Sequence, residues 1–165
     1  MFLGRDYRIH PLPNPPFNNT QMKVAVYAGS FNPYHRGHEN IRQKGLKIFD
    51  RLIIARGVNP DKAPSTYQLP DIIDPKDVMT YSGLLTDFIK ELQKELSCDN
   101  VTLIRGLRNA VDLEYEKVQY RYLQDLMPEI QVVSLFCDAE FEHISSSGIR
   151  MLKNYGPEKV EKYLF

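Results

Sequence analysis

The apolar run Lys23-Val24-Ala25-Val26-Tyr27-Ala28 passes directly into Gly29-Ser30-Phe31-Asn32-Pro33-Tyr34-His35-Arg36-Gly37-His38, and then into the helical pattern GHENIRQKGLKIF. A buried strand, a tight glycine turn and a helix that opens on two histidines leave few folds open. Gly29 and Gly37 let the backbone turn sharply and come close to a ligand, and the unpaired N–H groups of a helix start attract anions. Two imidazoles three residues apart can then hydrogen-bond phosphate oxygens. Taken alone, His35 and His38 could equally cap a βα turn. Their place after a buried strand and a Gly-Ser-Phe-Asn-Pro turn favours a phosphate site.

The rest of the chain alternates strand-like and helical runs. A helix is expected from Glu39 to Phe49, a strand from Arg51 to Val58, and an amphipathic helix over Leu84, Leu85, Phe88, Ile89, Leu92 and Leu96. Val101 to Arg105 reads as a buried strand, Asp112 to Leu126 as a helix and Gln131 to Phe136 as a strand, with two short helices around 147–154 and 157–164. Prolines at 60, 64, 70 and 75 make 59–75 a long loop. Repeated β-then-α order with nearly continuous apolar strands predicts a Rossmann-like α/β fold, a doubly wound parallel sheet with helices on both faces. At 165 residues and 42% hydrophobic content the chain holds one core. The expected organisation is an extended proline-rich arm over residues 1–22 and a single domain over 23–165.

Charge narrows the partners. Lys plus Arg and Asp plus Glu are 21 each, so no global field draws the chain to nucleic acid, and any anion site must be local. Cys98 and Cys137 match no metal-ligand spacing, and no segment reads as a membrane span or an export signal, so the expected setting is cytoplasmic. In a doubly wound sheet, ligands sit beyond the carboxyl ends of the strands. Ser30 to His38, Lys62, Arg105 with Arg108, and Ser145 to Ser147 all follow strands, so their loops are expected to open on one crevice. Such a group of cations, histidines and hydroxyls suits a ligand with several negative charges, such as a triphosphate.

The His-x-Gly-His box resembles that of the nucleotidyltransferase superfamily, and Ile144-Ser145-Ser146-Ser147-Gly148-Ile149-Arg150 looks like that superfamily's late Ile-Ser-Ser-Ser/Thr motif. Leu103-Ile104-Arg105-Gly106-Leu107-Arg108, with Asp112-Leu113-Glu114-Tyr115-Glu116, looks like the diagnostic block of bacterial phosphopantetheine adenylyltransferases. The resemblance runs from about Lys23 to the C-terminus. It implies attack by the phosphate of 4′-phosphopantetheine on the α-phosphorus of ATP, giving dephospho-coenzyme A and pyrophosphate, with Mg²⁺ accompanying the nucleotide.

By the same resemblance, His38 contacts the α-phosphate and stabilises the transition state, while Lys62 and Arg105 hold the acceptor phosphate. Ser30 and Leu85 contact the acceptor, Leu85 at an apolar position. Ser30, Phe31, His35, His38, Gly106, Leu107, Arg108 and Glu116 are implied ATP contacts, as is the run Phe141, Glu142, His143, Ile144, Ser145, Ser146 and Ser147. No dedicated metal ligand is expected, because phosphate oxygens and water hold Mg²⁺. Homo-oligomers, a hexamer in particular, and feedback inhibition by coenzyme A are family traits.

Plainer roles stand beside these. Ser145 to Ser147 could be an N-cap run, Arg105 could pair with Glu114 or Glu116, and Asp112 reads as the cap of its helix. Tyr115, Tyr120 and Tyr122 read as packing residues, and an isolated Lys62 as a solvated one. His35 and Asn32 depart from the family's usual Thr and Asp, and lean toward nicotinamide mononucleotide adenylyltransferases. The Arg-Gly-Leu-Arg block has no place in that branch. A nucleotide-binding module without turnover is the non-enzymatic alternative. The proline-broken segment 65–78 replaces a family helix, and the N-terminal arm is extra.

Overall fold

The computed structural model describes residues 21–59 and 67–165. The first twenty residues of the arm, and Lys62 with Pro60 and Pro64, lie outside the described residues. Five strands form one sheet: β1 (Val24–Gly29), β2 (Arg51–Gly57), β3 (Val78–Tyr81), β4 (Val101–Leu107) and β5 (Gln131–Phe136). All neighbours pair in parallel, in the order β3-β2-β1-β4-β5. Strand order reverses between β1 and β4, which is where such sheets open a ligand crevice. The expected α/β architecture is therefore the one observed.

The helices are α1 (Arg36–Leu46), α2 (Leu85–Leu96), α3 (Ala110–Leu126) and α4 (Ser146–Lys153). Alternation along the central strands divides the core in two. Val24, Val26, Ile53, Val101 and Leu103 face α2 through Ile89 and Leu92, whereas Ala25, Tyr27, Leu52, Ile54 and Ile104 face α1 through Ile41. Helix α1 lies close against the sheet at Gly45, where a Cβ would come within 2.5 Å of Leu52 Cδ1 and 2.8 Å of Ile104 Cδ1.

Several expected boundaries move. Strand β3 lies where only loop and the approach to a helix were expected. At four residues, half-buried, it is too short to show a period. Its register, Ile54 opposite Val78 through Gly57 opposite Tyr81, comes from pairing with β2. Helix α1 begins at Arg36 rather than Glu39, because His35 caps it. Helix α3 is capped by Asn109, whose side chain accepts from Asp112 N at 3.0 Å, so Asp112 is not the cap. The segment 157–164 forms two 3₁₀ turns, Pro157–Lys159 and Glu161–Tyr163, in place of one short helix.

Candidate active site

The β1–α1 turn is locked by its own histidines. His35 Nδ1 accepts from His38 N at 3.4 Å, and His38 Nδ1 accepts from His35 N at 3.2 Å. The rings stack with centroids 3.6 Å apart. Both imidazoles therefore cap the helix, as the plainer reading held, but that does not exhaust them. Burial drives His35 down to about 4, with Arg108 adding to it. Burial, then His35 and Arg108, hold His38 well below its ordinary value. A neutral imidazole whose Nδ1 accepts must carry its proton on Nε2. Each ring thus keeps one N–H donor free of the cap.

Those rings border a cleft of about 360 Å³ at the carboxyl edge of the sheet. Its wall brings together His35, Gly37 and His38 from the first turn, Gly106, Leu107 and Arg108 from the end of β4, Glu116 from α3, and Phe141, Ile144, Ser145 and Ser146 before α4. Three distant motifs converge there. Gly106 forms part of the wall where a Cβ would lie 2.9 Å from Ile41 Cγ1 and 3.3 Å from the Tyr27 hydroxyl.

Two contacts explain the convergence. Ser146 Oγ donates to Pro33 O at 2.9 Å, and Arg150 donates to Asn32 O, so α4 is tied to the backbone of the histidine turn. Ser145 caps α4, accepting from Gly148 N at 3.1 Å. Hence the serine run is an N-cap and a cleft wall at once. Ser147 is exposed, with its Oγ 3.3 Å from that of Ser145. Glu142 and His143 do not line the cleft, and His143 sets its ring edge against Tyr163 at 5.8 Å.

The cations are already paired. Arg105 grips Glu116 with two bonds of 2.7 and 2.8 Å, and leans on Ala28 O at 3.5 Å. Arg108 gives Asp112 three bonds, each 2.9 Å, one of them from its backbone N. That guanidinium holds the Asp112 carboxyl below the usual range. Two of the five N–H donors of each arginine go to a carboxylate, which leaves others for a phosphate.

Arg105, Ser30 and Leu85 do not line this cleft. Arg105 and Gly106 are successive residues of β4 and point to opposite faces of the sheet. Gly106 faces Ile41 of α1, and Arg105 faces α3. Leu85 opens α2 and packs on the core cluster of that second face. Ser30 is exposed just past β1, and its carbonyl accepts from Arg56 Nε at 3.3 Å. Phe31, at φ 47°, buries its ring against Tyr27, Tyr34 and His38 and does not line the cleft. Tyr27, Ile41, Asp112, Tyr115 and Cys137 also line the cleft, and sequence reasoning missed all five. For Cys137 a signal existed, since it directly follows β5 at the ligand edge. Tyr115 and Tyr122 are exposed rather than packed, while Tyr120 is half-buried against the core.

Neutral histidines have a consequence for stability. The unfolded chain binds the proton near 6.5 and folded His35 only near 4, so between these values the unfolded state holds more protons. Stability is complete above pH 6.5 and falls as pH drops toward 4, by an expected loss on the order of 3 kcal/mol from His35. Urea midpoints at pH 7 and pH 4.5 measure this. The same slope in His35→Gln as in the wild type would show that His35 is not its source.

A parallel sheet with this switch point, a histidine-capped turn on β1 and a serine-capped helix closing the same cleft defines a nucleotidyltransferase-type α/β domain. The chain belongs to the cytidylyltransferase-like family, whose model matches residues 26–152, and its curated relatives place it among the phosphopantetheine adenylyltransferases. One relative, the phosphopantetheine adenylyltransferase of Clostridium botulinum strain Alaska E43, is 32% identical over 145 residues, covering 82% of this chain and 87% of the relative. That of C. botulinum strain Langeland is 35% identical over 144 residues, covering 82% and 84%. Among solved structures, a bifunctional NMN adenylyltransferase/ADP ribose pyrophosphatase from Francisella tularensis superposes with a TM-score of 0.57 at 15% identity. That match spans 87% of this chain and 45% of the neighbour, and it speaks for the fold.

Proposed function

We propose that the chain transfers the adenylyl group of ATP to the phosphate of 4′-phosphopantetheine, releasing pyrophosphate and giving dephospho-coenzyme A. The convergence of His38, Gly106, Arg108 and Ser145 on one cleft supports this reading, together with relatives of that activity at 32–35% identity. The nucleotide lies on the α1 side of the switch point, over Gly106, with its triphosphate toward the start of α4. The acceptor lies on the α2 side, near Arg105 and Leu85. The C-terminal edge of β1 and β4 separates the two and sets the attacking oxygen against the α-phosphorus.

Little covalent chemistry is asked of the protein, since phosphoryl-type transfer needs alignment and charge stabilisation. His38 Nε2–H is a neutral donor that costs no rearrangement as charge builds on the α-phosphate. Arg108 and the α4 N-terminus take the β- and γ-phosphates. Arg105 meets the acceptor phosphate with the donors that Glu116 leaves. Lys62 joins it in this reading by resemblance alone. In this reading Mg²⁺ enters with the nucleotide, held by phosphate oxygens and water.

The test is pyrophosphate release from Mg-ATP with each of two acceptors. Release with 4′-phosphopantetheine and none with nicotinamide mononucleotide is the expected result. The reverse preference would assign the chain to the sister branch, and no release with either would leave a binding module.

A further inference from the structure

We propose that the Tyr27 hydroxyl is a nucleotide-binding group that pairs with a ribose hydroxyl of ATP, a contact that rests on reading the cleft as the nucleotide site. Tyr27 lies on β1 opposite Ile104 of β4, and its side chain turns to the α1 face, where it lines the cleft. It is only 6% exposed. Its ring is held by its neighbours, meeting Phe31 edge to face at 5.2 Å and His38 at 6.3 Å. The hydroxyl at the far end of that ring makes no hydrogen bond among the described residues. By contrast Tyr34, also buried in the core, gives its hydroxyl to Glu39 at 2.8 Å. A buried phenol ordinarily finds a partner, because an unpaired one forfeits its bonds to water. Phenylalanine would fill the same space without that cost, so the unpaired hydroxyl calls for a partner that arrives with a ligand.

Its position selects the part of the ligand. The hydroxyl stands 3.3 Å from where a Cβ on Gly106 would lie, so a larger side chain at 106 would cover it. Tyr27 thus borders both Gly106 and His38. With the α-phosphate at His38 and the base over Gly106, the sugar is the part of the nucleotide between them, and Tyr27 is the wall residue it meets. Burial raises the phenol above its ordinary value against the pull of Arg105, so the group stays protonated at neutral pH and can both donate and accept. A ribose hydroxyl has the same double capacity, and the two pair in either direction.

Calorimetric titration of the full chain with Mg-ATP and no acceptor tests this, because it reads binding apart from transfer. Tyr27→Phe keeps the ring and its packing, and is expected to weaken ATP binding about fivefold, the worth of one neutral hydrogen bond. Its melting temperature without nucleotide is expected at or above the wild-type value, since the change removes a buried group that has no partner. 2′-Deoxy-ATP and 3′-deoxy-ATP locate the paired oxygen. The wild type is expected to bind one of them about fivefold more weakly than ATP, and Tyr27→Phe to bind that analogue as well as it binds ATP. An ATP affinity in Tyr27→Phe within about twofold of the wild type would overturn the proposal. So would a lowered melting temperature, a wild type indifferent to both sugar hydroxyls, or a variant that keeps the wild-type preference. A wild type that binds no Mg-ATP would overturn the reading of the cleft itself, whereas binding without pyrophosphate release would leave this contact standing and overturn only the transfer.

Discussion

Replacing His38 with alanine is expected to lower turnover at least about a hundredfold in a chain that still folds. The size follows from what the ring does. Its Nδ1 is spent on the helix cap, so Nε2–H is the donor left on a ring that lines the cleft, neutral because burial keeps it so. A donor fixed in place before the reaction acts on charge that appears only in the transition state, and a hundredfold corresponds to about 2.7 kcal/mol of that stabilisation. The structural cost is smaller, since the variant loses one capping acceptor, worth about 1 kcal/mol, and the stack on His35. His35→Ala should show the opposite split, a larger loss of stability and a smaller loss of turnover, because His35 caps α1 and supports the ring of its neighbour. Steady-state kcat beside a thermal melt checks both variants. Turnover within about threefold of wild type in folded His38→Ala would remove the ring from the chemistry.

Gly106→Val is expected to raise the KM for ATP by about tenfold or more with a much smaller effect on the acceptor KM, the loss of roughly 1.4 kcal/mol of binding or more. Gly106 faces the cleft between Ile41 and the Tyr27 hydroxyl, and a first carbon there already stands 2.9 Å from Ile41 Cγ1. Valine adds two further methyls at a wall that the nucleotide must approach. Arg105, the next residue along β4, points to the other face, so the acceptor side is left alone. Gly106→Ala should fall between wild type and valine, because its single carbon forces Ile41 to shift but puts no further methyls on the wall. Equal rises in both KM values would mean that the two substrates are not divided by the sheet as proposed.

The central strands and both faces of the core were readable because Val24 to Ala28 and Leu52 to Ala55 are unbroken apolar runs and Val101 to Ile104 is interrupted only by Thr102, the mark of strands covered on both sides. The histidine turn was readable for a local reason, since glycines, a proline and the capping pair all lie within ten residues. Strand β3 was not, because Val78 to Tyr81 owes its form to β2 rather than to its own pattern. Helix α3 was placed correctly, but its tyrosines were assigned to packing. Periodicity finds an apolar stripe without telling which side meets the core, and here Tyr115 and Tyr122 turn outward. The pairing of Arg105 with Glu116 was one of two alternatives that spacing left open. Three-dimensional placement chose Glu116, on the inward side of α3, over the exposed Glu114.

A crystal structure with a non-hydrolysable ATP analogue and Mg²⁺ tests the central claim most directly. An α-phosphate oxygen is expected at about 2.7–3.2 Å from His38 Nε2, with the outer phosphates at the start of α4 and the base over the wall that holds Gly106. A nucleotide bound away from His38 and Ser145, or one that reaches the cleft with its phosphates turned from both, would contradict it.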